Sequence, residues 1–322
     1  MRRSFRGSRC AIPALLPLLG ACFLDWTEVR EPALVIANAT AVLTVDPMDS
    51  TVRSTDVLAF LVRDSADDRV TGASVRIVDR SSGRSLRLEE LPDTRDPCRP
   101  EDAAPVGTCY AASVASAHFA PLAELSLQVA LSDGRQLFGT STMPGLFTPS
   151  RPSLMDGRCR ADPETNYRIR WGPIRNAWAH IAEAHFKGLR HNLWEGQDPL
   201  YLSNAWMAAP SYRAEMGFPR TLIEGEVPFD ARKAARRLES GLPWGVTVDL
   251  AVAAIDRNWA NWIRPGQVHV AGEVPVPSVF GDGTGMFGTA VRWTATIESR
   301  DVEDETGLVD CDMGGVSYGP DQ

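Results

Sequence analysis

Apolar side chains recur at every second position through the first half of this chain, and that periodicity narrows what it can fold into. Leu125, Leu127, Val129 and Leu131 share one face of an extended segment. Val75, Ile77, Leu86 and Leu88 keep the same spacing on either side of Ser81-Ser82-Gly83. Residues two apart point the same way in a strand, not in a helix. Leu34 to Val45 alternates and is rich in β-branched residues, and Val57 to Val62 is an apolar run between Asp56 and Asp64. Ser132-Asp133-Gly134-Arg135 supplies a hairpin turn from which Gln136 to Thr142 returns. About six or seven short strands, with turns at intervals of roughly ten residues and no helical period, predict an Ig-like β-sandwich over residues 33–148.

Tryptophan divides the chain. Of nine, one (Trp26) precedes the first strand and eight fall between Trp171 and Trp293. Two halves with different core aromatics predict two domains, joined by the Pro-, Ser- and Gly-rich stretch from Pro144-Gly145 through Pro152 and a linker over 149–160. The second half, 161–300, reads as mostly β. Tyr167 to Trp171 followed by Gly172-Pro173 resembles the opening strand and corner of fibronectin-type modules. Trp178 to Phe186, Val246 to Ile255, Val268 to Val276 and Thr289 to Ser299 read as strands. Asp230 is placed to cap a short helix through Leu238. Leu193 to Pro219 reads as a Trp-rich loop, and 301–322 as an acidic, Gly-containing tail. The expected fold class is therefore mainly β, with an Ig-like and then a fibronectin-like sandwich.

The N-terminus carries its own signal. Arg2, Arg3, Arg6 and Arg9 precede an apolar run that closes on Leu19-Gly20-Ala21-Cys22. This is the layout of a secretory signal over 1–21. The cysteine after the small residues resembles the bacterial lipobox, which implies acylation at Cys22 and a tether over 22–32. Several acyl chains hold a protein firmly, because each buried methylene contributes about 0.8 kcal/mol. The shortness of the run and Pro13 and Pro17 argue against a transmembrane helix. By the rules of lipobox proteins, Phe23 rather than Asp after the cysteine implies the outer membrane of a bacterial envelope.

The formal charge of the 322-residue chain is −8. Removing the four signal arginines leaves 29 basic residues against 41 acidic ones, a net of −12. That argues against nucleic acid and against a polybasic grip on anionic lipid. Setting aside Cys10 and Cys22, four cysteines remain: Cys98, Cys109, Cys159 and Cys311. An even set in an exported chain predicts two disulfides, with three connectivities open. Cys98 and Cys109 flank one Pro- and acid-rich loop, so their pairing needs only a local turn, and Cys159 would then reach Cys311. Their spacing does not suit zinc.

Taken together, these pieces resemble a family of bacterial lipoproteins of unknown function, found where TonB-dependent receptors are numerous. The resemblance runs through Cys22, Val70 to Val78, Tyr110, Leu125 to Leu131, Asp133-Gly134, Met143-Pro144, Trp171-Gly172-Pro173, Val246 to Trp262 and Val279 to Gly288. It implies location and architecture, and carries over no catalytic residue.

The search for chemistry yields little. Gly283-Thr284-Gly285-Met286-Phe287-Gly288 satisfies G-x-G-x-x-G, but the β-branched alternation after it is not the helix a dinucleotide site needs. It reads as a Gly-rich turn with Phe280 and Phe287 packed inward. Among the five histidines, His180 and His185 are five apart, on opposite faces of a strand, and H-E-x-x-H is absent. There is no G-x-S-x-G. The carboxylates Glu224 and Glu226, Asp282, and Asp301 to Glu305 form no complete catalytic pair or calcium loop. No catalytic residue, metal or cofactor is assigned. The aromatic set Trp194, Tyr201, Trp206 and Tyr212 is the candidate binding surface, against the alternative of a Trp-built core. The expectation is a membrane-anchored envelope module, not an enzyme, that binds other molecules. Its partner would be an outer-membrane protein such as a receptor, or a glycan. A hydrolase acting on polysaccharide or peptide and a purely structural lipoprotein are the alternatives. A calcium- or zinc-dependent pocket with two carboxylates and a histidine close together would favour the hydrolase.

Overall fold

A computed structural model describes residues 34–63, 69–92, 98, 107–149, 154–189, 198–207, 214–224, 232–263, 276–300 and 307–311. The first half forms seven strands: β1 (Val35–Val45), β2 (Val52–Arg63), β3 (Ser74–Asp79), β4 (Ser85–Glu90), β5 (Thr108–Val114), β6 (Glu124–Ala130) and β7 (Gln136–Thr142). The second half adds β8 (Arg158–Ala161), β9 (Tyr167–Trp171), β10 (Ala179–Lys187), β11 (Leu200–Met207), β12 (Ala214–Phe218), β13 (Thr247–Ile255), β14 (Val279–Gly281) and β15 (Gly283–Ser299). Three short helices are α1 (Arg220–Ile223), α2 (Arg232–Leu238) and α3 (Arg257–Ile263).

The strands of the first half do not close on themselves as a sandwich. They run β1-β2-β5-β4-β3-β6-β7, and β14 and β15 complete the ring by pairing β15 with β1, giving a closed nine-stranded barrel. This overturns the expectation of two separate sandwiches. Alternation is the same in a sandwich and in a barrel, since both have one face in and one out. What separates them here is the closing strand, which comes from the far end of the chain.

The closing seam is parallel and runs from Val35 opposite Gly283 to Val45 opposite Trp293. It explains the glycines that sequence reading assigned to a turn. Gly283 and Gly285 lie in β15, where a Cβ would sit 2.3 Å from the Val35 carbonyl oxygen and 2.0 Å from that of Ala37. Gly285 also has φ +146°, a conformation other residues rarely adopt. Phe287 is buried inside as expected, but Phe280 is 55% exposed. The inward face of β1 is Val35, Ala37, Ala39, Ala41, Leu43 and Val45, all buried. With Leu61, Leu127, Leu137, Phe287 and Val291 they fill the interior, so the barrel is packed and not a pore.

β15 then continues past the barrel as the second strand of a sheet ordered β8-β15-β13-β10-β11. β8 begins inside the stretch expected to be a linker, 149–160, and ends one residue beyond it. The inner face of this sheet carries Phe186, Val248, Leu250, Val252, Ala295 and Ile297, all buried. It is covered by the two-stranded β9–β12 sheet and by Leu222 of α1 and Leu238 of α2. Phe186 stacks on Phe218 of β12 with ring centroids 6.4 Å apart. One hydrophobic cluster runs unbroken from the barrel into this region, Val35 and Trp171 being members alike. The tryptophans therefore mark a different layer of one core, not a second core.

The helix expected to end at Leu238 is α2, although its expected cap, Asp230, lies outside the described residues, as does most of 268–276. The stretch read as a loop, 193–219, contains β11 and β12 instead. Asn258 to Trp262 is helical in α3. Asp256 caps α3, accepting the backbone N–H groups of Asn258 (3.2 Å) and Trp259 (3.1 Å). Ala260 of α3 packs on Ala179, Ile255 and Ala290, sealing one end of the sheet's outer face.

Candidate functional site

Beyond α3 the outer face of that sheet is polar, and the strand register sets its side chains in rows. Thr296, Asp249, His185 and Tyr201 lie opposite one another across β15, β13, β10 and β11. The next row is Thr294, Ala251, Glu183 and Ser203. Ala251 presents only a methyl group in the middle of longer neighbours. The depression it leaves, bordered also by Arg53, Arg158 and Arg292, forms a cleft of about 400 Å³.

Ion pairs knit the cleft. Lys187 Nζ donates to Asp249 Oδ2 at 2.5 Å, and the Thr296 hydroxyl donates to Asp249 Oδ1 at 3.0 Å. Burial raises the Asp249 pKa, but these two donors outweigh it and hold the carboxyl below the usual range. Asp249 is therefore an anion at neutral pH and no proton donor. Arg292 Nη2 lies 3.6 Å from Glu183 Oε2, while Arg292 Nε is buried without a partner. Tyr201 Oη donates to Glu183 Oε1 at 3.1 Å. Burial, aided by the Glu183 carboxylate, pushes the Tyr201 hydroxyl up to about 12. The His185 and Tyr201 rings meet edge to face at 4.8 Å. The face offers anions, cations and a phenol, and the Asp249 carboxyl, held ionised, cannot donate a proton as a general acid.

The aromatic quartet is split. Tyr201 stands on this open face, 45% exposed. Trp206 is on the opposite face of β11, stacked on His180 (5.6 Å) and tilted against Trp171 (6.4 Å), and it packs on the core. Trp194 and Tyr212 lie outside the described residues, as does Cys22. Both expected cysteine pairs are bonded, Cys98 to Cys109 and Cys159 to Cys311. The second, spanning 152 residues, ties β8 to the C-terminal segment.

His180 and His185 take opposite faces of β10. His180 is 2% exposed; its Nε2 accepts the indole N–H of Trp171 at 3.0 Å, and its Nδ1 has no partner. Among the described residues, no group of three histidine, cysteine or carboxylate side chains is placed to hold a metal. Asp282 accepts the backbone N–H of Gln136, and Glu224 pairs with Arg220. Glu226 and Asp301 to Glu305 are outside the described residues.

The sequence points to Tyr201 as a binding residue and to His185 only as a strand histidine, and gives no sign of Glu183, Asp249, Arg292, Thr294 or Thr296 as site residues. The one available signal is the polar half of the same alternation. Glu183, His185 and Lys187 alternate with Ala182, Ala184 and Phe186, which marks β10 as a strand with one polar face. No family model and no curated protein matches this chain.

Proposed function

We propose that this chain is a membrane-anchored envelope lipoprotein, held by an acylated Cys22, which uses the outer face of the β8-β15-β13-β10-β11 sheet to bind another envelope molecule. The observation that carries the reading is the polar Tyr201–His185–Asp249–Thr296 row, of which His185, Asp249 and Thr296 line a cleft together with Glu183 and Arg292. Such a face suits a polar partner, because its charges are already ordered and lose little freedom on binding. An accessory role beside an outer-membrane receptor fits this arrangement.

The anchor and the face are tested separately. Cys22→Ser is expected to lose lipid label and leave the membrane fraction; an unchanged distribution overturns the anchor. A photo-crosslinking residue in place of Tyr201 is expected to trap one envelope component in intact cells. The same residue in place of Arg76, on barrel strand β3, is expected to trap none. Equal trapping from both positions overturns the binding face.

A second reading, a hydrolase, is favoured by one observation: Asp249, His185 and Glu183 share this cleft. It requires Asp249→Asn to abolish hydrolysis of a polysaccharide or peptide while leaving crosslinking from position 201 intact. In that reading Asp249, held ionised, would serve as base or nucleophile and not as the general acid.

A further inference from the structure

A second cleft, of about 280 Å³, opens where β7, the segment before β10 and the start of α3 meet. We infer that it is a binding site for an acidic sugar, with Trp178 as the platform for the ring and Arg257 as the partner of the carboxylate. This inference does not rest on the sheet-face reading and concerns different residues.

Three features of the cleft carry it. First, Trp178 is 46% exposed, and the Arg257 guanidinium carbon lies 5.2 Å from its ring centroid. The stack holds the guanidinium over the cleft. The guanidinium takes one face of the indole; the other, apolar and flat, is the one we assign to the C–H face of a pyranose. Second, Arg257 forms no ion pair among the described residues. The nearby Glu124 is held by Arg80, and Asp256 is turned inward. An unpaired guanidinium in a cleft recognises a planar carboxylate through two parallel hydrogen bonds. Third, the remaining wall offers hydroxyl and amide groups suited to sugar hydroxyls. The Asn176 side chain makes no hydrogen bond among the described residues. Asn258 spends its amide on the Thr140 and Phe287 carbonyls, leaving Oδ1 to accept.

The floor of the cleft is rigid. Asp256, 3% exposed, accepts the Ser141 hydroxyl at 2.7 Å and the Thr289 backbone N–H at 3.1 Å in addition to capping α3. With every acceptor used, it fixes Arg257 and Asn258 without competing for the ligand's charge. The cleft is near the small end of ligand sites, the size class of one sugar ring. A phosphate fits poorly, since a single guanidinium would face a dianion beside the Glu124 carboxylate. The chain's formal charge of −8 gives no long-range attraction to an anion, so selection is local.

The test is calorimetric titration of the full chain with tetragalacturonate, with maltotetraose as the neutral control and acetate as the bare carboxylate. Tetragalacturonate is expected to bind, with maltotetraose and acetate at least roughly tenfold weaker. Trp178→Ala and Arg257→Ala are each expected to weaken binding by roughly tenfold or more. Both side chains are exposed, so an unchanged melting temperature should accompany that loss. Tyr201→Ala is expected to leave it unaltered, which separates this site from the sheet face. Equal binding of the acidic and neutral tetrasaccharides, full competition by acetate, no binding at millimolar ligand, or unchanged affinity in Trp178→Ala would each overturn the inference.

Discussion

At the scale of single residues, His180 is the group whose burial has the clearest consequence. Burial lowers its pKa from 6.5 to about 4, because a charged imidazole among Trp171, Trp206 and the strands would be poorly solvated. The folded state therefore binds its proton less readily than the unfolded state. Stability from this group is complete above pH 6.5 and is lost as pH falls toward 4. The loss between pH 7 and pH 4 amounts to about 3 kcal/mol. Urea unfolding at the two pH values should show wild type losing about that much more than His180→Gln, which cannot titrate. Equal losses would mean that the imidazole is hydrated in the folded protein. His180 also shows why a histidine is hard to read from sequence. Its five-residue spacing from His185 placed the two on opposite faces, but only the register of β10 with β11 and β13 revealed which one was inside.

At the scale of elements, the closing seam is the most demanding feature. Gly285 sits where a Cβ would be 2.0 Å from the Ala37 carbonyl oxygen, and its φ of +146° suits glycine alone. Gly285→Ala must push β15 away from β1 and strain its own backbone. It is expected to lower stability by about 2 kcal/mol or more, read as a reduced urea midpoint. Gly83 provides the control, since a Cβ there meets nothing within 4 Å. Its φ of +71° still carries backbone strain, so Gly83→Ala reports that strain without a steric clash. Most strands were legible in the sequence because alternation is local, and β10 and β13 were located to within a residue. β11 was not, because Tyr201, Asn204 and Trp206 break the apolar pattern. The polar outer face was legible only through Tyr201. Its rows exist only once β15, β13, β10 and β11 are in register, and no local pattern encodes register between strands so far apart.

At the scale of the whole molecule, the question is whether the first half can stand alone. A sandwich over 33–148 would. The barrel should not, because β1 would lose one of its two partners along the whole run from Val35 to Val45, and β7 would lose β14. The small inward residues Ala37, Ala39 and Ala41 would also lose the cover of Phe287, leaving the interior open beside two bare edges. The Asn38 side chain accepts the Met286 backbone N–H across a separation of 248 residues, so even this local contact needs the far end of the chain. The fragment 33–148 is thus expected to give a poorly dispersed amide spectrum and no cooperative melting. A peptide of residues 276–300, which restores β14 and β15, is expected to return dispersion by completing the ring in trans. A fragment that melts cooperatively without the peptide would mean that its strands close on themselves, and that β15 is an addition to a finished domain.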